Sequence, residues 1–165
     1  MVPKRHVECI GAMEKQEADK LESLADFARG VLFKEYNKPS IIFEHGIVGQ
    51  TIKHAHMHIV PADVKLLEKI TKDFPMSGTS YFSGLSSLCH VYSILKRPYL
   101  LWRDFAWING IIWDPPAPLQ YLRIVVADAL GRPERANWRT MDPELDKKLW
   151  SETVRRLKPY FETPH

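Results

Sequence analysis

Gly49-Gln50-Thr51-Ile52-Lys53-His54-Ala55-His56-Met57-His58-Ile59-Val60-Pro61 is the stretch around which the rest of the chain can be read. Its alternation of imidazole and apolar side chains predicts a strand over Ile52 to Val60, stopped by Pro61. Successive strand residues point to opposite faces. His54, His56 and His58 are therefore expected on one face at intervals of about 6.5–7 Å, with Ala55, Met57 and Ile59 toward the core. The preceding loop, His45-Gly46-Ile47-Val48-Gly49-Gln50, contains two glycines, and a row of imidazoles beside such a loop suits an anion. Three readings fit the row: solvated histidines on an edge strand, a zinc site in which histidines at i and i+2 chelate one ion, or catalytic imidazoles.

Upstream, Met13, Leu21, Leu24, Ala28, Val31 and Leu32 recur at helical spacing and predict one amphipathic helix from Met13 to Tyr36, ended by Asn37-Lys38-Pro39. Ile41-Ile42-Phe43-Glu44 follows as a β-branched and aromatic strand. Downstream, Val64 to Lys72 reads as a charged helix, and Phe74 to Pro116, rich in aromatics, Gly and Pro, as short strands and loops. A helix from Leu119 to Leu130 is expected, with Pro118 in its first turn and Gly131 after its end. A last helix is expected to start at Asp142 as N-cap and Pro143, to carry Leu145, Leu149, Val154 and Leu157, and to stop at Pro159.

The composition bounds the class. The chain has 165 residues, 45% hydrophobic and 26% charged, as in an ordinary folded domain. Its two cysteines, Cys9 and Cys89, are too few for a disulfide framework, which makes a reducing cytoplasm the expected location. No apolar run approaches the roughly 20 residues that span a bilayer, so neither export nor membrane insertion is expected. A net charge of +3 suits an anionic substrate and is too small to point to nucleic acid.

The run Gly49 to Pro61 resembles the signature strand of the histidine-triad (HIT) family, especially its diadenosine polyphosphate hydrolase branch. Val2-Pro3-Lys4-Arg5-His6 is similar to the strand end that supplies this family with a further histidine, and the intervening helix and strand fall in the family's order. The resemblance covers residues 1–64. It implies that His56 attacks the α-phosphorus of a nucleotide and forms a covalent nucleotidyl-histidine, with its other ring nitrogen held by a backbone carbonyl. His54 and His58 match positions that contact phosphate oxygens and orient the nucleophile, and His6 the histidine behind the triad. Gly49, Gln50 and Thr51 match the phosphate-holding loop, and Glu44 also fits the pattern, whereas Phe43 stands where the nucleotide-binding branch has an asparagine. The resemblance implies no metal and no cofactor, a nucleotide or dinucleoside polyphosphate as substrate, and a homodimer. A complete HIT domain carries several dozen residues ahead of the Pro-Lys-Arg-His match, forming strands and a nucleoside pocket; the aromatic C-terminal half is one candidate to fill that role.

The expected fold is therefore α+β: an antiparallel sheet packed on the Met13 to Tyr36 helix, with further helices appended. Residues 1–64 form the HIT core and residues 65–165 a C-terminal extension packed on the same domain. That extension holds all five tryptophans, and Lys96, Arg97, Arg103, Arg123 or Arg139 is expected to meet phosphate if it walls the pocket; otherwise these residues are core and solvated face. Segment Gly131 to Arg139 is similar to tails of bacterial HIT proteins. Besides nucleotide hydrolysis or transfer, two functions remain open: a non-catalytic nucleotide-binding module, and a zinc-dependent hydrolase using the histidine row.

Overall fold

The computed structural model describes residues 1–104, 109–137 and 139–162. Trp107 and Trp138, two of the tryptophans considered for base stacking, lie outside the described residues. Helix α1, Lys15–Tyr36, begins with a reciprocal cap in which the Glu14 amide donates to the Glu17 carboxylate at 3.3 Å. It ends where Asn37 turns left-handed at φ 49°. Its buried seam is built from Ala18, Ala25 and Ala28, small residues that let neighbouring elements approach closely, with Val31 and Leu32, while Leu24 is exposed.

Five strands follow in chain order: β1 (Ser40–Gly46), β2 (His58–Pro61), β3 (Thr79–Phe82), β4 (Tyr99–Arg103) and β5 (Asn109–Trp113). They form one antiparallel sheet in the order β2-β1-β4-β5-β3. The other helices are α2 (Leu66–Asp73), α3 (Leu85–Leu95), α4 (Tyr121–Ala129) and α5 (Pro143–Phe161). The fold is α+β. Residue 64 falls inside the run that builds the sheet, since β4, its middle strand, comes from the C-terminal half together with β5 and β3. No helix among the described residues is long and apolar enough to cross a membrane.

Both faces of the sheet are covered. Ile42, Tyr99, Leu101 and Ile111 meet α1 and α3 through Ala18, Ala25, Leu85, Leu88 and Tyr92. On the other face Ile41, Phe43, Leu100, Trp102 and Ile112 meet α2 and α4 through Leu66, Ile70, Leu122 and Val125. Burial of this kind stabilises by about 25 cal/mol per Å² of apolar surface.

Four expectations change. The strand read over Ile52 to Val60 contracts to His58–Pro61. Residues 55 and 57 instead bond the N-terminal segment, Ala55 N–H to the Val7 carbonyl at 2.6 Å and Met57 N–H to the Met1 carbonyl at 2.8 Å. A step of two residues on one side thus answers a step of six on the other, which no strand ladder accommodates. Helix α3 stands where strands and loops were expected; Leu85, Leu88, Cys89 and Tyr92 recur at steps of three and four and are buried. Pro159 lies inside α5 without stopping it, and α4 starts three residues after Pro118. The Asp142 cap is present, its Oδ1 accepting from Leu145 N–H at 2.7 Å, and Gly131 closes α4 at φ 65°.

Glu44 is fully buried on the α1 side of β1. Its Oε1 accepts from Ile10 N–H and its Oε2 from the Tyr99 hydroxyl, both at 2.7 Å, and that hydroxyl accepts from Gly11 N–H at 2.8 Å. Gly46 permits this arrangement: the Tyr99 ring occupies the space a Cβ at Gly46 would take. Burial raises the Glu44 pKa from 4.5 to about 7, against the lowering effect of its two donors. Folding therefore favours the neutral acid, a contribution complete below pH 4.5 and lost as pH rises through about 7. Thermal melts of Glu44→Gln should show its deficit against wild type shrinking between pH 5 and pH 8; a pH-independent deficit would contradict the assignment.

Candidate functional site

Alternation along β1 directs Phe43 and His45 to the α4 face, and His58 opens β2 directly opposite Phe43. The Phe43 and His58 rings stack at 4.5 Å and 14°. His56, in the extended segment before β2, meets the edge of His58 at 5.1 Å and 76°, and His45 closes the group 6.5 Å from His58. One ring nitrogen from each of His45, His56 and His58 lies within 4.8 Å of the others. The spatial cluster is thus 45-56-58, whereas the sequence pattern predicts 54-56-58.

These three rings line a cavity of about 330 Å³ together with Gly49, Thr51 and Ile52 of the loop and Gln120 and Arg123 of the C-terminal half. The loop and α4 are joined where Gln120 N–H donates to the Gly49 carbonyl at 2.9 Å. Gly49 adopts φ 72°, and a Cβ there would stand 2.7 Å from the Pro118 carbonyl oxygen, so the close approach needs glycine. Ile47, a β-branched residue at φ 80°, adds backbone strain of about 1–3 kcal/mol to the same loop.

Hydrogen bonds assign the tautomers. A carbonyl can only accept, so the 2.7 Å contact between His56 Nδ1 and the His54 carbonyl puts the proton on Nδ1 and leaves the Nε2 lone pair free. An amide can only donate, so Leu122 N–H, 3.0 Å from His45 Nε2, leaves neutral His45 protonated at Nδ1. His58 Nε2 and Gln120 Oε1 are buried without a hydrogen-bond partner. Burial, then the neighbouring His56, lowers the pKa of both His45 and His58 to about 3, with Arg123 adding to the effect. Arg123 is half-buried and has no carboxylate within ion-pair distance among the described residues. The cavity therefore combines an unpaired guanidinium, a free imidazole lone pair and two unpartnered polar atoms, a set that suits an anion with an electrophilic centre.

No protein-family model matches the chain, and no curated protein matches it significantly.

Of the residues expected at the site, His56, His58, Gly49 and Thr51 line the cavity. His54 does not: its Nε2 donates to the Pro3 carbonyl at 2.9 Å and its Nδ1 accepts from Val7 N–H at 3.4 Å, so both nitrogens serve the backbone. His6 stacks on His54 at 5.2 Å and bonds the Lys53 carbonyl through Nε2 at 2.7 Å, placing it behind the cluster. Gln50 turns outward, its Nε2 donating to the Glu8 carbonyl at 2.9 Å. Glu44 points to the opposite face of the sheet and cannot touch a ligand held by the histidines.

Among the described basic residues of the C-terminal half, Arg123 alone lines the cavity. Arg103 is buried against Glu22 and Asp26, Arg97 pairs with Asp114 at 2.5 Å, Lys96 covers the Tyr92 ring and Arg139 is exposed. Trp102 is core. Cys89 is a buried thiol whose pKa burial pushes up to about 12, on a helix that turns His90 outward. His45 shares a strand face with Phe43 through its i, i+2 relation, but no local signal joins it to His56 and His58, and none marks Gln120.

Zinc fits the cluster poorly. His45 has its acceptor nitrogen occupied by Leu122 N–H and its other nitrogen protonated, which leaves two rings with a usable lone pair.

Because the neutral forms of His45 and His58 are favoured in the folded chain, their contribution to stability is full above pH 6.5 and is lost as pH falls toward about 3. Imidazole NMR shifts of these two residues should stay flat from pH 7.5 to pH 5. A titration midpoint near 6.5 for either would reject the buried, neutral pair.

Proposed function

We propose that the chain is a nucleotide hydrolase or nucleotidyl transferase of the HIT type, acting at an α-phosphate through a covalent nucleotidyl-histidine on His56. The observation that carries this reading is the His56 Nδ1 contact with the His54 carbonyl, which leaves Nε2 as a nucleophilic lone pair inside a cavity that holds an unpaired arginine.

In this mechanism Nε2 of His56 attacks the α-phosphorus, the bond from phosphorus to the leaving group breaks, and the leaving group departs with that electron pair. The imidazolium so formed is stabilised through its Nδ1 proton, held by the His54 carbonyl. Arg123 offsets charge on the phosphoryl oxygens, and His58 donates to one of them in the tautomer that carries its proton on Nε2. Water, or another acceptor, then attacks phosphorus, releases the nucleotide and returns the electron pair to Nε2. A homodimer and a cytoplasmic location belong to the same reading.

His56→Ala is expected to retain its circular dichroism spectrum and to lose turnover of dinucleoside polyphosphates or nucleoside phosphoramidates by at least about a thousand-fold. Mass spectrometry of wild-type protein quenched in acid-free buffer should show a nucleotide adduct on His56. Normal turnover by the variant rejects the nucleophile; saturable nucleotide binding with no adduct and no turnover identifies a binding module instead.

The second reading, a zinc-dependent hydrolase, has in its favour the 4.8 Å convergence of three imidazole nitrogens. Activity that survives chelation, with no zinc by elemental analysis, is the expected result; loss on chelation and recovery with zinc would favour this second reading.

A further inference from the structure

Beside the histidine cavity lies a second one of about 310 Å³, and the two share His58 and Arg123 as walls. Its floor is apolar, made by Phe43 and Val60 of the sheet, Val126 of α4 and Leu130 just after the helix. Arg123, Arg132 and Arg135 complete it, and no acidic residue lines either cavity.

Three guanidinium groups around one apolar hollow repel each other unless an anion joins them. Their compensation within the chain is slight. Arg123 Nη2 has the Arg135 carbonyl at 3.5 Å, Arg135 Nε is buried without a hydrogen bond and has Glu134 Oε1 at 3.6 Å, and Arg132 is exposed at the rim. An apolar floor lowers the local dielectric and strengthens any charge-assisted bond made above it. One face of the Phe43 ring is already taken by His58, so the groups left to recognise a ligand are chiefly the arginines.

We propose that this second cavity binds the distal phosphates of a polyphosphate chain, so that the substrate carries a polyanionic leaving group next to the phosphorus held at the histidines. The placement of that phosphorus rests on the reading of His56 as nucleophile; the anion subsite itself does not. Phosphoramidates, whose leaving group is an amine, gain nothing from Arg132 and Arg135, whereas dinucleoside polyphosphates and nucleoside triphosphates do.

The test uses inorganic tripolyphosphate, which needs no turnover, with binding measured by calorimetry at a fixed salt concentration near 0.15 M. Arg132→Gln/Arg135→Gln is compared with Lys147→Gln/Lys148→Gln, which removes equal charge from exposed positions on α5. The expected result is a loss of tripolyphosphate affinity of at least about tenfold in the arginine double variant and of less than about twofold in the lysine control. Arg132→Gln alone, at an exposed position, should weaken binding severalfold and serves if the double variant melts early. In steady state the arginine variant should lose kcat/KM for a dinucleoside tetraphosphate while keeping it for a nucleoside phosphoramidate. Equal affinity in wild type and the arginine variants, equal losses in arginine and lysine variants, or no binding by wild type overturns the subsite. Arginine-dependent tripolyphosphate binding with no turnover of any substrate upholds the subsite and rejects the catalytic reading.

Discussion

The amide of Leu122, in the first turn of α4, donates to Nε2 of His45 on β1 across 77 positions of chain. Most of the candidate site depends on this contact. It docks a helix end onto a central strand, satisfies an amide that a helix start leaves without an internal partner, and fixes which nitrogen of His45 carries the proton. The neighbouring bond from Gln120 N–H to the Gly49 carbonyl seats the glycine loop against the same helix. Arg123, one residue along, is thereby carried to the cavity wall as an almost uncompensated charge.

The sheet separates two kinds of buried titratable group. On the α4 side His45 and His58 are held neutral by burial, and Phe43 stacked on His58 keeps water from one whole face of that ring. On the α1 side burial raises the Glu44 pKa to about 7, so the neutral acid is favoured below that pH, and Glu44 ties β1 to the Ile10 turn and to Tyr99 of β4. The two groups act on stability with opposite sign. Between pH 4.5 and 6.5 the histidines make the folded state more favourable as pH rises while Glu44 makes it less so. A flat stability profile in that range can therefore conceal two steep contributions.

Phe43 shows how one substitution in a familiar pattern acquires a physical role. Where the resembled family has an asparagine, this chain has an aromatic ring that forms part of a second cavity and desolvates the third histidine of the run. The three strands supplied after residue 64 give β1 a buried partner on the side away from β2, which is why β1 is buried along its whole length. Arg103 of β4 then ties that partner to α1 through Glu22 and Asp26.

Local patterns were enough for α1, β1, α4, α5 and the Asp142 and Gly131 helix ends, because periodicity, caps and β-branching act over a few residues. They were also enough to single out His56 and His58, together with Gly49 and Thr51, and to bury Ala55 and Met57. The residue run could not say that the segment around His54 pairs with the N-terminal backbone instead of a strand, since that depends on the Pro3 carbonyl and the His6 ring presented by distant chain. Nor could it separate Arg123 from the other basic residues of its half, or exchange His54 for His45 in the cluster. Those assignments depend on which groups meet across 50 to 80 positions, as His45 meets Leu122 and His54 meets Pro3, and hydrogen-bond partners at such separations are chosen only when the sheet and its covering helices close.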